Sequence, residues 1–150
     1  MSPKHLSGPL MAGLVIGAAA ILAGCATATP AETPPALIKP VAGSQIPQLQ
    51  LTERAVQRLG IVTRPVRPTT TAGQPAREII PYSAVVYDTD GSTWVYVNSA
   101  ARTYERKPIT VTEIDGEIAQ LSAGPAAGTA VVTVGAAELL GTEYNISGEE

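Results

Sequence analysis

The reactive side chains of this 150-residue chain are concentrated before residue 26. The only cysteine is Cys25, the only histidine is His5, and both methionines, Met1 and Met11, precede the cysteine. Residues 26–150 therefore lack imidazole, thiol and thioether groups. For that part of the chain, this composition excludes a histidine-based triad, a thiolate nucleophile and the usual ligands of copper(I), zinc and iron. Carboxylate chemistry remains open, with calcium or magnesium as the metals that it would suit.

Two groups of acidic residues could use carboxylate chemistry. The segment Asp88-Thr89-Asp90-Gly91 has the spacing of part of a calcium loop, but the other ligands and the flanking helices of an EF-hand are missing. Glu113, Asp115 and Glu117 surround Asp115-Gly116, which is the strongest hairpin signal in the sequence. Both patterns favour solvated turns over a metal site or a pair of catalytic carboxylates. We therefore predict no catalytic residue, no metal site and no cofactor.

The basic residues are few and scattered. The chain has 10 Lys and Arg against 13 Asp and Glu, and no block of basic residues indicates a nucleic-acid partner. Arg106 and Lys107 are adjacent, but two charges are more typical of an ordinary surface than of a lipid-headgroup site. Ser83 and Lys107 would need special geometry to act as a serine–lysine nucleophile, and their spacing does not indicate it.

Four aromatic residues are candidates for a binding interface: Tyr82, Trp94, Tyr96 and Tyr104. Aromatic side chains supply much of the binding energy of protein interfaces. The alternative is that they form the core of a domain, since the chain has no phenylalanine. For Trp94 the core is the favoured interpretation.

Cys25 ends the segment Leu22-Ala23-Gly24-Cys25, directly after an apolar run over Leu10–Leu22 that follows Lys4. This run fits the ~7–15-residue apolar region of a secretory signal and is short of the ~20 residues that span a bilayer. The segment resembles the lipobox of bacterial lipoproteins. The resemblance implies cleavage after residue 24 and lipidation of Cys25 by a thioether-linked diacylglycerol, with fatty acids such as palmitate. The alternative is a free thiol in a simple anchor helix.

The chain beyond Cys25 divides into a tether and one β-domain. Five prolines in 25–48 predict an extended tether with a reach of up to ~70 Å. Short alternating patterns between turn signals predict a mainly β domain over 49–145, an antiparallel barrel or sandwich of about six to seven short strands. One short helix is predicted over 52–59, with Thr52 as N-cap and Gly60 as its end. Residues 146–150 are interpreted as a tail.

Two further local predictions concern segments within this domain. Prolines and glycine in Pro65–Ala76 predict a loop. Gly135 starts a short turn or helix that extends through Leu140.

The β-domain resembles one family. Ile80-Pro81-Tyr82-Ser83-Ala84-Val85 with Gly91–Val97, and later Gly124–Ala136, follow the order of motifs in the C-terminal, membrane-proximal β-domain of periplasmic adaptor proteins, also called membrane fusion proteins. Leu51–Ile61 is similar to the strand by which those adaptors enter that domain. The chain departs from the family because Pro65–Ala76 stands where a full adaptor inserts its other domains, including the helical hairpin that reaches an outer-membrane channel.

The resemblance implies a partner and a location. Adaptors of this family serve efflux permeases of the resistance-nodulation-division type and some ABC exporters, so a membrane transporter is the expected partner. We expect a non-enzymatic, lipid-anchored accessory protein at the outer face of the cytoplasmic membrane, and a homo-oligomer is compatible with this role. Two alternatives stay open: a stand-alone lipoprotein that binds a small apolar molecule or a cell-wall component, and an enzyme that uses carboxylates only.

Overall fold

The computed structural model describes residues 33–70, 73 and 76–144. Cys25, the predicted signal peptide over 1–24 and the predicted tail over 146–150 lie outside these residues. The described chain is mainly β, with eleven strands in two antiparallel sheets, two α-helices and one short 3-10 helix over Tyr82–Ala84. None of its helices is long and apolar enough to cross a membrane.

The bounds of the elements follow the chain order. The strands are β1 Ala36–Lys39, β2 Gln48–Leu51, β3 Val62–Pro65, β4 Arg67–Thr69, β5 Arg77–Pro81, β6 Val86–Tyr87, β7 Thr93–Ala100, β8 Thr103–Pro108, β9 Thr110–Asp115, β10 Ile118–Ala123 and β11 Ala130–Val134. The helices are α1 Glu53–Leu59 and α2 Ala136–Glu143.

Strand β7 is the centre of the larger, seven-stranded sheet. The order of that sheet is β1-β2-β8-β7-β11-β3, and β6 pairs with the beginning of β7. One edge of β7 pairs with β8, while its other edge pairs first with β6, at Trp94, and then with β11, at Val97. The outer strands β1 and β3 are the free edges at the two ends of this strand order.

The smaller sheet has four strands in the order β4-β5-β10-β9. Its β9–β10 hairpin pairs Asp115 with Ile118, which leaves Gly116 and Glu117 as a two-residue loop. Gly116 has φ +56, a conformation that glycine adopts without steric cost. The hairpin predicted from Asp115-Gly116 is therefore confirmed.

The two faces of the seven-stranded sheet cover two separate cores. On one face, Tyr96 and Val132 pack with Ala55 of α1 and Leu139 of α2. On the other face, side chains of β7 and β11 pack against the four-stranded sheet through a second buried set: Val66, Ile80, Ala84, Val95, Val97, Ile109, Ala119, Leu121 and Val131. The described part of the chain is thus a layered β-sandwich with helices on one side, and its sheets do not close into a barrel.

Helix α1 forms where its capping residues predict it. The Thr52 side chain accepts a hydrogen bond from the amide of Ala55 at 3.2 Å, which satisfies one of the free donors of the first turn. Gly60 ends the helix in the left-handed conformation, with φ +59 and ψ +36. The prediction of a short helix over 52–59 is confirmed.

The structure corrects three predictions about element number and bounds. The predicted tether over 25–48 contains β1, whose Ala36–Lys39 pairs with β2, so its second half belongs to the folded body. The predicted loop over Pro65–Ala76 contains β4, an edge strand in which Pro68 lies opposite Glu78 without needing to donate to a further neighbour. The described residues also form eleven strands instead of six to seven. The short turn or helix predicted from Gly135 through Leu140 is confirmed as α2, with Gly135 as its N-cap.

Candidate functional site

A buried arginine on β8 organises the largest polar cluster among the described residues. The side chain of Arg106 is only 6% exposed, and alternation along β8 directs it to the same face as Tyr104, towards the helices. A buried guanidinium needs hydrogen-bonded partners because its charge cannot be removed at ordinary pH. Two carboxylates from distant parts of the chain bind its Nη1 and Nη2, while its buried Nε has no hydrogen-bond partner among the described residues.

The partners of Arg106 come from the turn after β6 and from the end of α2. Its Nη1 donates to Asp88 Oδ2, and its Nη2 lies 3.0 Å from Glu143 Oε1. The Glu143 side chain is 5% exposed, and its Oε2 accepts a hydrogen bond from the Tyr96 hydroxyl. The hydroxyl of Tyr144 donates to Asp88, at 2.7 Å from Oδ1. The cluster therefore ties the C-terminal helix to the central strand β7 and to the β6–β7 turn.

Two aromatic rings enclose the guanidinium. The Cζ atom of Arg106 lies 4.4 Å from the centre of the Trp94 ring and 5.5 Å from that of Tyr144. Both distances fit cation–π contacts, which gain strength when the cation is shielded from water. We call Arg106, Asp88, Glu143, Tyr96, Trp94 and Tyr144 the Arg106 network.

The pKa shifts of Asp88, Tyr96 and Arg106 each favour the protonation state that the group has at neutral pH. The hydrogen bond from Tyr144, together with those from the Thr89 amide and Arg106, lowers the pKa of Asp88 from 3.8 to about 2. Burial and the hydrogen bond to Glu143 raise the pKa of Tyr96 well above its ordinary value. Burial alone would lower the pKa of Arg106, but the bond to Asp88 and the charge of Glu143 outweigh it and raise that pKa. A general acid or base needs a pKa near the working pH, so this arrangement suits structural fixation better than proton transfer.

In the turn Asp88–Gly91, which resembles part of a calcium loop, both aspartate carboxylates accept hydrogen bonds from other groups of the protein. Asp88 is held by Arg106 and Tyr144, as described above. Asp90 Oδ1 accepts from the amide of Ser92 at 2.8 Å, and Gly91 has φ +84 in the predicted turn. Within the described residues, no three Asp, Glu, His or Cys side chains are grouped so that they could hold a metal ion.

The other candidate catalytic groups do not converge. Glu113, Asp115 and Glu117 lie exposed around the tip of the β9–β10 hairpin, as the sequence predicts. Lys107 forms an ion pair with Glu105 at the surface, and no contact joins it to Ser83 among the described residues. The structure brings no serine–lysine pair together.

The four candidate interface aromatics are separated by the fold. Tyr96 and Tyr104 are buried in the core under the helices, so they are not available to a partner. The prediction of these two residues as interface residues is wrong. Trp94 is half-buried beneath Arg106. Tyr82 is exposed, and its hydroxyl lies 3.4 Å from that of Tyr87, which is also exposed.

Tyr82 lines an open groove of about 780 Å³ between the free edge β3 and the strands β5 and β10. Four of its lining residues are exposed apolar or aromatic side chains: Val62, Tyr82, Ile118 and Val134. Arg64 and Arg67 also line it, and neither has an acidic partner within 4.0 Å among the described residues, while Glu117 supplies one negative charge. We call this surface the β3 groove.

Sequence reasoning missed both the Arg106 network and most of the β3 groove. On β8, Arg106 lies two residues from Tyr104 and so on the same face of the strand, which is the one local signal of the network. Its partners Asp88 and Glu143 are 18 and 37 positions away in the chain (106 − 88 and 143 − 106). The β3 groove was missed because the alternation of residues along a strand predicts its two faces, but does not predict whether another sheet covers the face that carries Ile118 or Val134. No protein-family model, curated protein or solved structure matches this chain.

Proposed function

We propose that this protein is a non-catalytic, lipid-anchored accessory protein that docks on an efflux transporter at the outer face of the cytoplasmic membrane. The observation that supports this most directly is the β3 groove. It combines exposed apolar side chains with a tyrosine and two arginines, which is the composition of protein-binding surfaces.

The groove offers exposed apolar side chains that a partner would cover. Val134 is 50% exposed, and Val62, Tyr82 and Ile118 are each exposed to a similar degree. Covering these side chains would favour binding, because each Å² of apolar surface removed from water is worth about 25 cal/mol. Arg64 and Arg67 at the same surface favour a partner segment that presents acidic groups.

The choice of a transporter as partner rests on the sequence. The lipobox-like segment ending at Cys25 would hold the domain at a membrane, and the motifs from Ile80 to Ala136 resemble the adaptor domain that contacts inner-membrane permeases. Binding and positioning, without chemistry, are consistent with a polar network whose carboxylates bind Arg106 and tyrosine hydroxyls of the same network.

The proposal can be tested by mild-detergent purification of the tagged lipoprotein and two matched variants. In Val134→Asp a charge enters the β3 groove, while Ile114→Asp places the same charge on the β9–β10 hairpin, at a residue that is 47% exposed and outside the groove. We expect mass spectrometry to identify a permease of the resistance-nodulation-division or ABC type with the wild type and with Ile114→Asp, but not with Val134→Asp. A wild-type preparation without a transporter, under conditions that preserve other pumps, would contradict the proposal.

A second candidate function is binding of a small apolar molecule or a cell-wall component in the same groove. Its volume of about 780 Å³ falls within the ~300–1,000 Å³ of small-molecule sites. The groove is open, however, and both internal cores are filled with side chains. Solvent extraction of purified protein followed by mass spectrometry separates the two candidates, since only this one predicts a bound compound that Val134→Asp loses.

A further inference from the structure

The outermost strand of the seven-stranded sheet has an uncovered apolar edge. In β1, Leu37 is 46% exposed and Ile38 is exposed to a similar degree, while Lys39 and Pro40 follow. The register Ala36↔Leu51 and Ile38↔Leu49 places Ile38 on the helix side of the sheet and Leu37 on the opposite side. Both side chains of this free edge therefore lack cover from the rest of the described domain.

The position of β1 in the chain limits how far this edge can lie from Cys25. Pairing with β2 fixes Ala36–Lys39 in the domain, so only the ten residues 26–35 separate Cys25 from Ala36. Whatever their conformation, ten residues span at most about 36 Å. That is about half the reach predicted for the 25–48 tether.

We propose that the β1 edge rests on the lipid bilayer, with Leu37 and Ile38 in the interfacial layer and Lys39 at the phosphate groups of anionic lipids. This inference builds on the lipid anchor of the proposed function. A free edge with apolar side chains is a hazard in water, and the membrane is the apolar surface that a lipid on Cys25 would bring within reach. A lysine beside apolar side chains suits the headgroup level because its ammonium extends towards anionic lipid.

The single cysteine makes the test direct. If Cys25 carries lipid, a cysteine introduced elsewhere is the only free thiol for an environment-sensitive dye. Leu37→Cys places the dye on β1, and Ile114→Cys places it on β9 at a site of matched exposure, 47% against 46%. The full lipidated protein is reconstituted into vesicles of phosphatidylethanolamine and phosphatidylglycerol, with and without a lipid-borne quencher.

We expect a blue shift and quenching of the dye at residue 37 in vesicles, and neither effect at residue 114. Protein that floats with the vesicles while the dye at 37 keeps its aqueous spectrum would overturn this inference and leave the anchor intact. A blue shift without lipid-borne quenching would mean that another protein surface covers β1, which also overturns it. If mass spectrometry shows no lipid on Cys25 before reconstitution, the anchor of the proposed function fails as well.

Discussion

Replacement of Arg106 by methionine should destabilise this protein far more than replacement of its neighbour Lys107. Methionine retains most of the apolar length of the arginine side chain, so the change removes mainly the charge and the hydrogen bonds. It leaves the carboxylates of Asp88 and Glu143 next to each other without their shared cation. Glu143 is 5% exposed, so water can screen its charge only weakly.

The size of the effect follows from burial. Removing one partner of a buried ion pair costs about 3–5 kcal/mol, whereas an exposed pair contributes about 0–1 kcal/mol. Asp88 retains some contact with water, which favours the lower end of the buried range, and loss of the cation–π contact with Trp94 adds to it. We expect Arg106→Met to lower the free energy of unfolding by about 3 kcal/mol, or about 12 °C in Tm for a domain of this size.

Urea unfolding followed by tryptophan fluorescence measures this effect at the site itself. Trp94 is the only tryptophan of the chain, and the guanidinium of Arg106 lies 4.4 Å from its ring centre. The native emission spectrum should therefore also change in Arg106→Met. Far-ultraviolet circular dichroism checks that the fold is retained before unfolding.

Lys107→Met is the matched control, since it removes a charge at the next residue. The Lys107 side chain is 45% exposed, and Glu105 is its only ion-pair partner within the described part of the chain, so we expect a loss below about 1 kcal/mol. A loss below about 1 kcal/mol for Arg106→Met as well would refute the reasoning. It would mean that the Arg106 network behaves like a surface ion pair and does not hold α2 in place.

Two further predictions concern pH and backbone conformation. The pKa of Asp88 is 3.8 in the unfolded chain and about 2 in the folded protein, so its contribution to stability is complete above pH 3.8 and is lost as the pH drops towards 2. The urea midpoint of the wild type should therefore fall more steeply over this pH range than that of Asp88→Asn. Parallel curves would contradict the role given to Asp88. Gly135 has φ +88, and an added Cβ would lie 2.4 Å from Ile61 Cδ1. In urea unfolding, Gly135→Ala should therefore lower the free energy of unfolding by at least ~1–2 kcal/mol. The same change at the uncrowded Gly141, inside α2, is the control and should be neutral or stabilising.

The layered fold explains why the Arg106 network and the β3 groove lie apart. The Arg106 network lies on the helix side of the seven-stranded sheet, where α2 packs on β2, β6 and β7. The β3 groove lies at the free edge of the same sheet, towards the four-stranded sheet. A substitution such as Val134→Asp can therefore test binding without removing a group of the network.

Local features of the fold were predictable from short stretches of sequence. Thr52 and Gly60 bound α1 because a capping hydroxyl and a left-handed glycine act within a few residues of each other. Asp115-Gly116 gives the hairpin for the same reason. Strand β1 was not predictable, because the prolines that flank it predict a tether and its hydrogen bonds depend on the distant strand β2.

The sequence by itself determined the chemical repertoire of this protein: residues 26–150 have no thiol, thioether or imidazole, and the predicted turns and the first helix form where capping and turn residues stand. Only the tertiary structure decided which charged and apolar side chains are covered. It buried Arg106 with Glu143, placed Tyr96 in the core, and left Val134 and Leu37 exposed. The physical reason is that burial and ion pairing depend on which strands become neighbours, and that pairing joins residues far apart in the chain.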